Sequence, residues 1–169
     1  MDAETLKSMQ RPVKERYVAD PGSALVTLRA QGHLSDGVSC SVETGQALVK
    51  AGLHPASGGD GALVCSGDVL LQALVACFGV TMRAVSTSMG IPVEGTLHAE
   101  GDLDFRGTLG VEKAAPVGFR AIRLRCALTS SAPTQTLAKM VQVTERYCVV
   151  MQTLTKGVPV VTELTATAG

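Results

Sequence analysis

The stretch "SGDVLLQALVACFGVTMRAVSTSMG", residues 66–90, limits what this chain can fold into more than any other. It carries no charge from Val69 to Met82. Ser66 reads as a helix N-cap, Asp68 suits the first turn, where an acid meets the positive end of the helix dipole, and Gly90 reads as a stop ahead of Pro92. Leu70, Ala73, Leu74, Cys77, Val80, Thr81 and Ala84 recur at helical spacing. A helix so apolar on most of its sides has to be covered on most of them, which predicts a buried position at the centre of the molecule. Ala73, Ala76 and Gly79 also permit close approach of another backbone. The longest apolar run, 69–80, is broken by Gln72 and falls short of the ~20 residues of a membrane span.

Strands flank this helix on both sides. "SALVTLRAQG" at 23–32 puts Ala24, Val26, Leu28 and Ala30 on one face, "SDG" at 35–37 is a turn signal, and "VSCSVET" at 38–44 completes a hairpin with Cys40 inward. Residues 52–62 read as a Gly-rich flexible loop. After the helix, 93–107 alternates, with Val93, Leu97, Ala99 and Leu103 inward and Glu94, His98, Glu100, Asp102 and Asp104 outward. Residues 118–130 alternate as well, with Ile122, Leu124, Cys126 and Leu128 inward and Arg123 and Arg125 outward. An acidic face opposite a basic one predicts an antiparallel pair. Pro133 opens a helix with Leu137, Met140, Val141 and Thr144 on its inner stripe. A second helical stretch or a continuation carries Cys148 to Gly157, and "VPVVTEL" at 158–164 reads as a final strand. The pattern is α+β in a single domain over 23–169. Residues 1–22 form an arm, helical at Leu6, Met9, Val13 and Tyr17, interrupted by Pro12 and ended by "DPG".

Charge and composition bear on partners and compartment. The formal net charge is zero, the aromatic share is 3% and Trp is absent, which disfavours nucleic acid or an anionic membrane as a partner. The first 22 residues mix acids and bases without an apolar core, so the expectation is a soluble cytoplasmic protein. There the five cysteines are mostly thiols, and any disulfide is transient and chemical. Five is also an odd count, which a closed disulfide framework would not leave.

The cysteines carry the chemistry worth weighing. Cys40 and Cys126 read as inert core thiols, and Cys65 as an exposed thiol beside a helix start. Zinc is disfavoured, since His33, His54 and His98 are scattered and no CxxC, HxH or HExxH occurs. No histidine has the context of a Cys–His nucleophile. Cys77 and Cys148, both in predicted helices, are either core residues or a dithiol reaction centre. Such a centre needs a thiolate, a nearby cation and a partner thiol, but neither a metal nor an organic cofactor.

Two segments carry a resemblance. "SGDVLLQALVACFGVTM" resembles the signature of the OsmC/Ohr family, the osmotically inducible protein C and organic hydroperoxide resistance proteins, in which a long central helix bears the first cysteine. "TERYCVVMQTLTKGVPVVTEL" resembles that family's second signature, and the likeness covers about residues 23–165. It is closer to the broad OsmC-like branch than to the hydroperoxide resistance branch. The resemblance implies antiparallel sheets around a long buried central helix, an intertwined homodimer with sites at the subunit interface, and thiol-dependent reduction of organic hydroperoxides. A dithiol such as a lipoyl group would reset it. Carried over by motif, Cys77 attacks the peroxide and Cys148 resolves. Asp68 stands at the acidic position of the broader branch, while Gly67 takes the position used in the hydroperoxide resistance branch. The family's activating Arg has no counterpart in "QGHLSDG", which leaves Arg11, Arg16, Arg29 or His33 as the cation. The alternative function is a non-catalytic dimer of the same scaffold that binds a small apolar ligand.

Overall fold

Helix and strand alternate much as the hydrophobic periodicity requires in a computed structural model of the chain. It describes residues 3–35, 39–42 and 52–164, and of residues 3–7, 9, 27–35 and 39–42 it describes the backbone. The elements run α1 (Ala3–Ala19), β1 (Leu25–Ser35), β2 (Ser39–Val42), α2 (Ser66–Met89), β3 (Glu94–Asp104), α3 (Phe105–Thr108), β4 (Phe119–Thr129), α4 (Thr134–Tyr147) and α5 (Val149–Lys156). The strands form one antiparallel sheet in the order β2-β1-β3-β4. Beyond Ser35, the residues of the expected 35–37 turn lie outside the described residues, as do 43–51.

One face of this sheet packs against α2. Leu71, Leu74, Val75, Phe78 and Met82 are buried there with Leu97, Ala99 and Leu103 of β3. Each such side chain contributes roughly 1.5–3 kcal/mol on burial. The helix starts one residue earlier than its sequence suggests, with Cys65 at the N-cap. Asp68 explains why, because it stands at the third helical position and accepts the Cys65 amide, as the acid of a capping box does. At the other end Gly90 adopts φ 64°, a left-handed conformation, and its amide closes the last turn on Ser86 and Thr87. The length and hydropathy of α2 would also suit a membrane span, but one face of the helix is packed on the sheet.

Burial of α2 is one-sided within the chain. The stripe Leu70, Ala73, Val80 and Ala84 is exposed, so the helix lies against one sheet and presents a second apolar face outward.

The outer face of the sheet follows its charge pattern. Arg123 of β4 bonds Asp102 of β3 at 2.5 and 2.9 Å and lies 3.5 Å from Glu100. Asp104 departs from the alternation. It is buried at 2% exposure instead of facing out, because it caps α3 through the Arg106 amide and holds the Arg106 guanidinium at 2.6 Å. A buried carboxylate is tolerable only with such partners.

Three further expectations are revised. The helix α1 runs through Pro12, forgoing one amide hydrogen bond, because Val13 and Tyr17 beyond it are anchored in the core. The Tyr17 hydroxyl donates to the Ala56 carbonyl. The loop at 52–62 is tied down by a 3-10 turn at Pro55–Ser57. Residues 157–164 are not a strand but an exposed tail, with Val160, Val161 and Leu164 80–89% exposed. A strand needs a hydrogen-bonding neighbour, and within the described residues this one has none.

Candidate active site

Two helices that meet beside α2 bring the two cysteines together. The chain leaves α4 at Tyr147 and re-enters helix at Val149, so Cys148 ends one helix and starts the next, with ψ 109°. Its amide still bonds the Thr144 carbonyl at 2.9 Å, and its carbonyl accepts the Gln152 amide at 2.9 Å. The Gln152 side chain reaches back across the break to the Glu145 carbonyl at 2.7 Å. These bonds hold the break without a Gly or Pro, which is why the sequence reads as helix through it. Cys148 is fully buried, and the Cys77 thiol on α2 lies near enough to act on its pKa.

Burial pushes the Cys148 thiol up to about 11, with its neighbour Cys77 adding to the shift and the amides of Met151 and Val150 opposing it. The groups acting on Cys148 include no described cation. Cys77 is only half-buried, so it is the more accessible of the two sulfurs. The Thr81 hydroxyl donates to the Cys77 carbonyl at 2.8 Å, which fixes the helix but leaves the thiol untouched.

A cavity of about 550 Å³ opens between α2, β4 and α5; neither thiol lines it, but Leu74 and Met151, each three residues from one of the cysteines, do. Leu70, Leu74 and Cys77 form one stripe of α2, and Cys148, Met151 and Thr155 form one stripe of α5. Leu70, Leu74, Met151 and Thr155 line the cavity, with Ile122 and Leu124 of β4 forming the opposite wall. Arg120 and Thr155 are the polar side chains of a lining that is otherwise apolar.

The other site candidates lie elsewhere. Asp68 precedes Cys77 by nine residues, which places it about 13 Å along α2 and half a turn round. One chain therefore keeps Asp68 away from the thiols. It sits instead with His54, whose charge state it influences, and burial raises its carboxyl above the usual range. His54 is the residue that the sequence hides. Its ring stacks on buried Phe105 at 4.9 Å, and Nδ1 accepts the Ala56 amide at 3.0 Å. The Pro55 that follows, a favoured first residue of a helical turn, is the available signal. Burial lowers the His54 pKa, and Asp68 opposes that.

Arg11 and Arg16 are exposed on α1, and the Arg16 guanidinium lies over the Tyr17 ring at 5.3 Å. Arg29 pairs with Glu100 in the ladder, and His33 with Thr96. Their side chains lie outside the described residues, as does that of Cys40. Cys65 is half-buried against the core instead of exposed. Cys126 is half-buried, and burial together with Glu145 raises its thiol to about 11, as fits an inert thiol.

An antiparallel sheet under one long apolar helix, with two further helices beside it, defines an α+β protein. A family model described as OsmC-like protein matches residues 59–163, from the loop before α2 into the tail. The chain belongs to the OsmC-like family. A solved structure of an OsmC-like hydroperoxide resistance protein from Jannaschia sp. CCS1 superposes with a TM-score of 0.55, over 85% of this chain and 95% of that one, at 16% identity. At that identity the likeness speaks for the fold. No curated protein matches the chain in sequence.

Proposed function

We propose that the chain reduces organic hydroperoxides with Cys77 and Cys148. The observation that carries this reading is the nearness of the two thiols, one helical turn from residues that line a mostly apolar cavity. The Cys77 thiolate attacks the peroxide, an S–O bond forms, the O–O bond breaks, and the alkoxide takes a proton and leaves as the alcohol. Cys77 is then a sulfenic acid. Cys148 attacks that sulfur, water leaves, and a disulfide joins the two residues. An external dithiol of the lipoyl type restores both thiols by exchange. The apolar body of the substrate occupies the cavity. No step requires a metal or organic cofactor. The Jannaschia protein's description as a hydroperoxide resistance protein supports the same chemistry, as does membership of the family.

The working form in this reading is a cytoplasmic homodimer. The exposed apolar stripe of α2 and the exposed apolar tail support a second copy, which would make α2 central and could bring Asp68 and an arginine of one chain to the thiols of the other. The absence of a described cation near Cys148 favours a second reading, a non-catalytic dimer that holds a small apolar ligand in the same cavity.

The test is consumption of cumene hydroperoxide with dihydrolipoamide by wild type, Cys77→Ser and Cys148→Ser. Turnover lost in Cys77→Ser, with a sulfenic acid trapped in Cys148→Ser, is the expected result. Wild type no faster than Cys77→Ser would refute the peroxidase reading and leave the binding one.

A further inference from the structure

Among the described side chains of α1, Val13 and Tyr17 are the buried ones. The Tyr17 hydroxyl donates to the Ala56 carbonyl in the 3-10 turn Pro55–Ser57. The amide of the same Ala56 donates to Nδ1 of His54 at 3.0 Å. Pro55 has no amide, so Ala56 carries the first amide of that turn, a group that no bond within the turn can satisfy. One residue thus links the arm to a titratable ring. The Ser57 amide, the Ser57 hydroxyl and the Gly59 amide bond the His54 carbonyl at 2.8, 2.9 and 3.2 Å. Those three bonds use a backbone acceptor and stand at any pH; the bond to the ring does not.

A neutral imidazole accepts at Nδ1 only with its proton on Nε2. A second proton turns Nδ1 into a donor, and it would then face the Ala56 amide, donor against donor. The ring is also fixed by its stack on buried Phe105, with centroids 4.9 Å apart and planes at 20°. Three titratable groups surround this cluster. Asp68 of α2 favours a proton on His54. Tyr17 of α1 stays protonated through burial, with Arg16 beside it opposing that shift. Asp104, next to Phe105, is held as a carboxylate by Arg106. Burial outweighs Asp68 and takes the ring below its ordinary 6.5. An open, solvated ring takes its proton near 6.5, so the open form binds the proton first. As pH falls through that value, the open form gains on the closed one.

We infer that His54 is an acid-sensitive pin for α1: a proton on Nδ1 breaks its bond to the Ala56 amide, loosens the Pro55–Ser57 turn and frees Tyr17, and with it the arm. What the arm uncovers is apolar, since Val13 and Tyr17 belong to one core cluster with Ala24, Phe105 and Leu109. Acid therefore exposes an apolar surface at this end of the molecule while α2 and the sheet keep their packing. The device is independent of the thiol chemistry proposed above.

Hydrogen exchange of the reduced protein between pH 7.5 and pH 5, read by mass spectrometry of peptides from α1 and α4 and corrected for intrinsic exchange, measures the opening of the arm. Opening of α1 should rise about tenfold over that range, which corresponds to one pH unit between the open and closed values, while α4 is unchanged. In His54→Asn the side-chain oxygen can still accept the Ala56 amide as an N-cap but does not titrate, so the arm should stay closed and the pH response vanish. His54→Ala should open the arm about fivefold at pH 7.5 and also lose the response. Asp68→Asn should keep it. Opening of α1 that is constant with pH in wild type, that rises equally in His54→Asn, that loses its pH response in Asp68→Asn, or that α4 follows in step would overturn the inference.

Discussion

Replacing Cys148 by alanine should change how the protein's stability depends on pH, and the size of the change follows from the burial of that thiol. Its pKa moves from an ordinary 9.0 to about 11 in the folded chain. The unfolded chain therefore loses this proton at lower pH than the folded chain does. Between about pH 9 and pH 11 the unfolded state binds fewer protons, so stability falls as pH rises. The contribution is fully present below pH 9 and is gone above 11. At about 1.4 kcal/mol for each pH unit that separates the two values, the fall is on the order of 3 kcal/mol. Cys148→Ala removes it and leaves a pH-independent offset of about 1 kcal/mol from the lost sulfur contacts. The assay is urea unfolding of reduced wild type and of the variant at half-unit intervals from pH 7.5 to 11. The stability difference should hold steady to pH 9 and then fall by the stated amount, while the raised thiol of Cys126 contributes to both proteins and cancels. A difference that stays constant to pH 11 would sink the reasoning, because it would mean that Cys148 ionises alike in both states.

Tyr17→Phe removes the hydroxyl that meets the Ala56 carbonyl and should lower stability by about 1 kcal/mol in denaturant unfolding, against about 3–5 kcal/mol for Tyr17→Ala. Gly101→Ala would place its Cβ 2.3 Å from the Phe119 ring, so stability should fall by about 1–3 kcal/mol in denaturant unfolding. Asp104 is held below the usual carboxylate range by Arg106, so its stabilisation is present above pH 4 and disappears as pH falls through its folded value; Asp104→Asn should flatten the acid limb of a thermal-melt profile. If α2 meets a second copy through its exposed stripe, Val80→Glu should shift the protein toward monomer in sedimentation velocity, and an unchanged mass would argue against that interface.

What is legible in the sequence is legible through periodicity. The two-residue repeat of β3 and the charge match of Glu100 and Asp102 with Arg123 are readable because a strand's two faces see different solvents. The pairing of Cys77 with Cys148 is reachable through the resemblance of their two segments to one family, since they stand 71 residues apart and no local pattern links them. The buried stripe of α2 does not stand out in the same way. With apolar residues on nearly every side, periodicity cannot tell Leu71 and Val75, which meet the sheet, from Leu70 and Val80, which do not. Asp104 breaks its alternation because a cap and an arginine outweigh the pleat. The place of Arg120 on the cavity wall is invisible, since the β3–β4 ladder skips it and a mismatch between two strands shows in neither strand alone. The tail at 158–164 has the pattern of a strand, but a pattern does not supply the neighbour that a strand requires.

The break at Cys148 has a mechanical consequence. A disulfide from there to Cys77 would close a loop of about seventy residues containing β3, β4 and the whole of α4, removing roughly 4 kcal/mol of conformational freedom from the unfolded chain. Oxidation would then lock α5 against α2 and make the spent protein the harder one to unfold, and a reductant would have to release that latch as well as supply electrons. The same residue that ends one helix and begins another would set how firmly the molecule is held shut between turnovers.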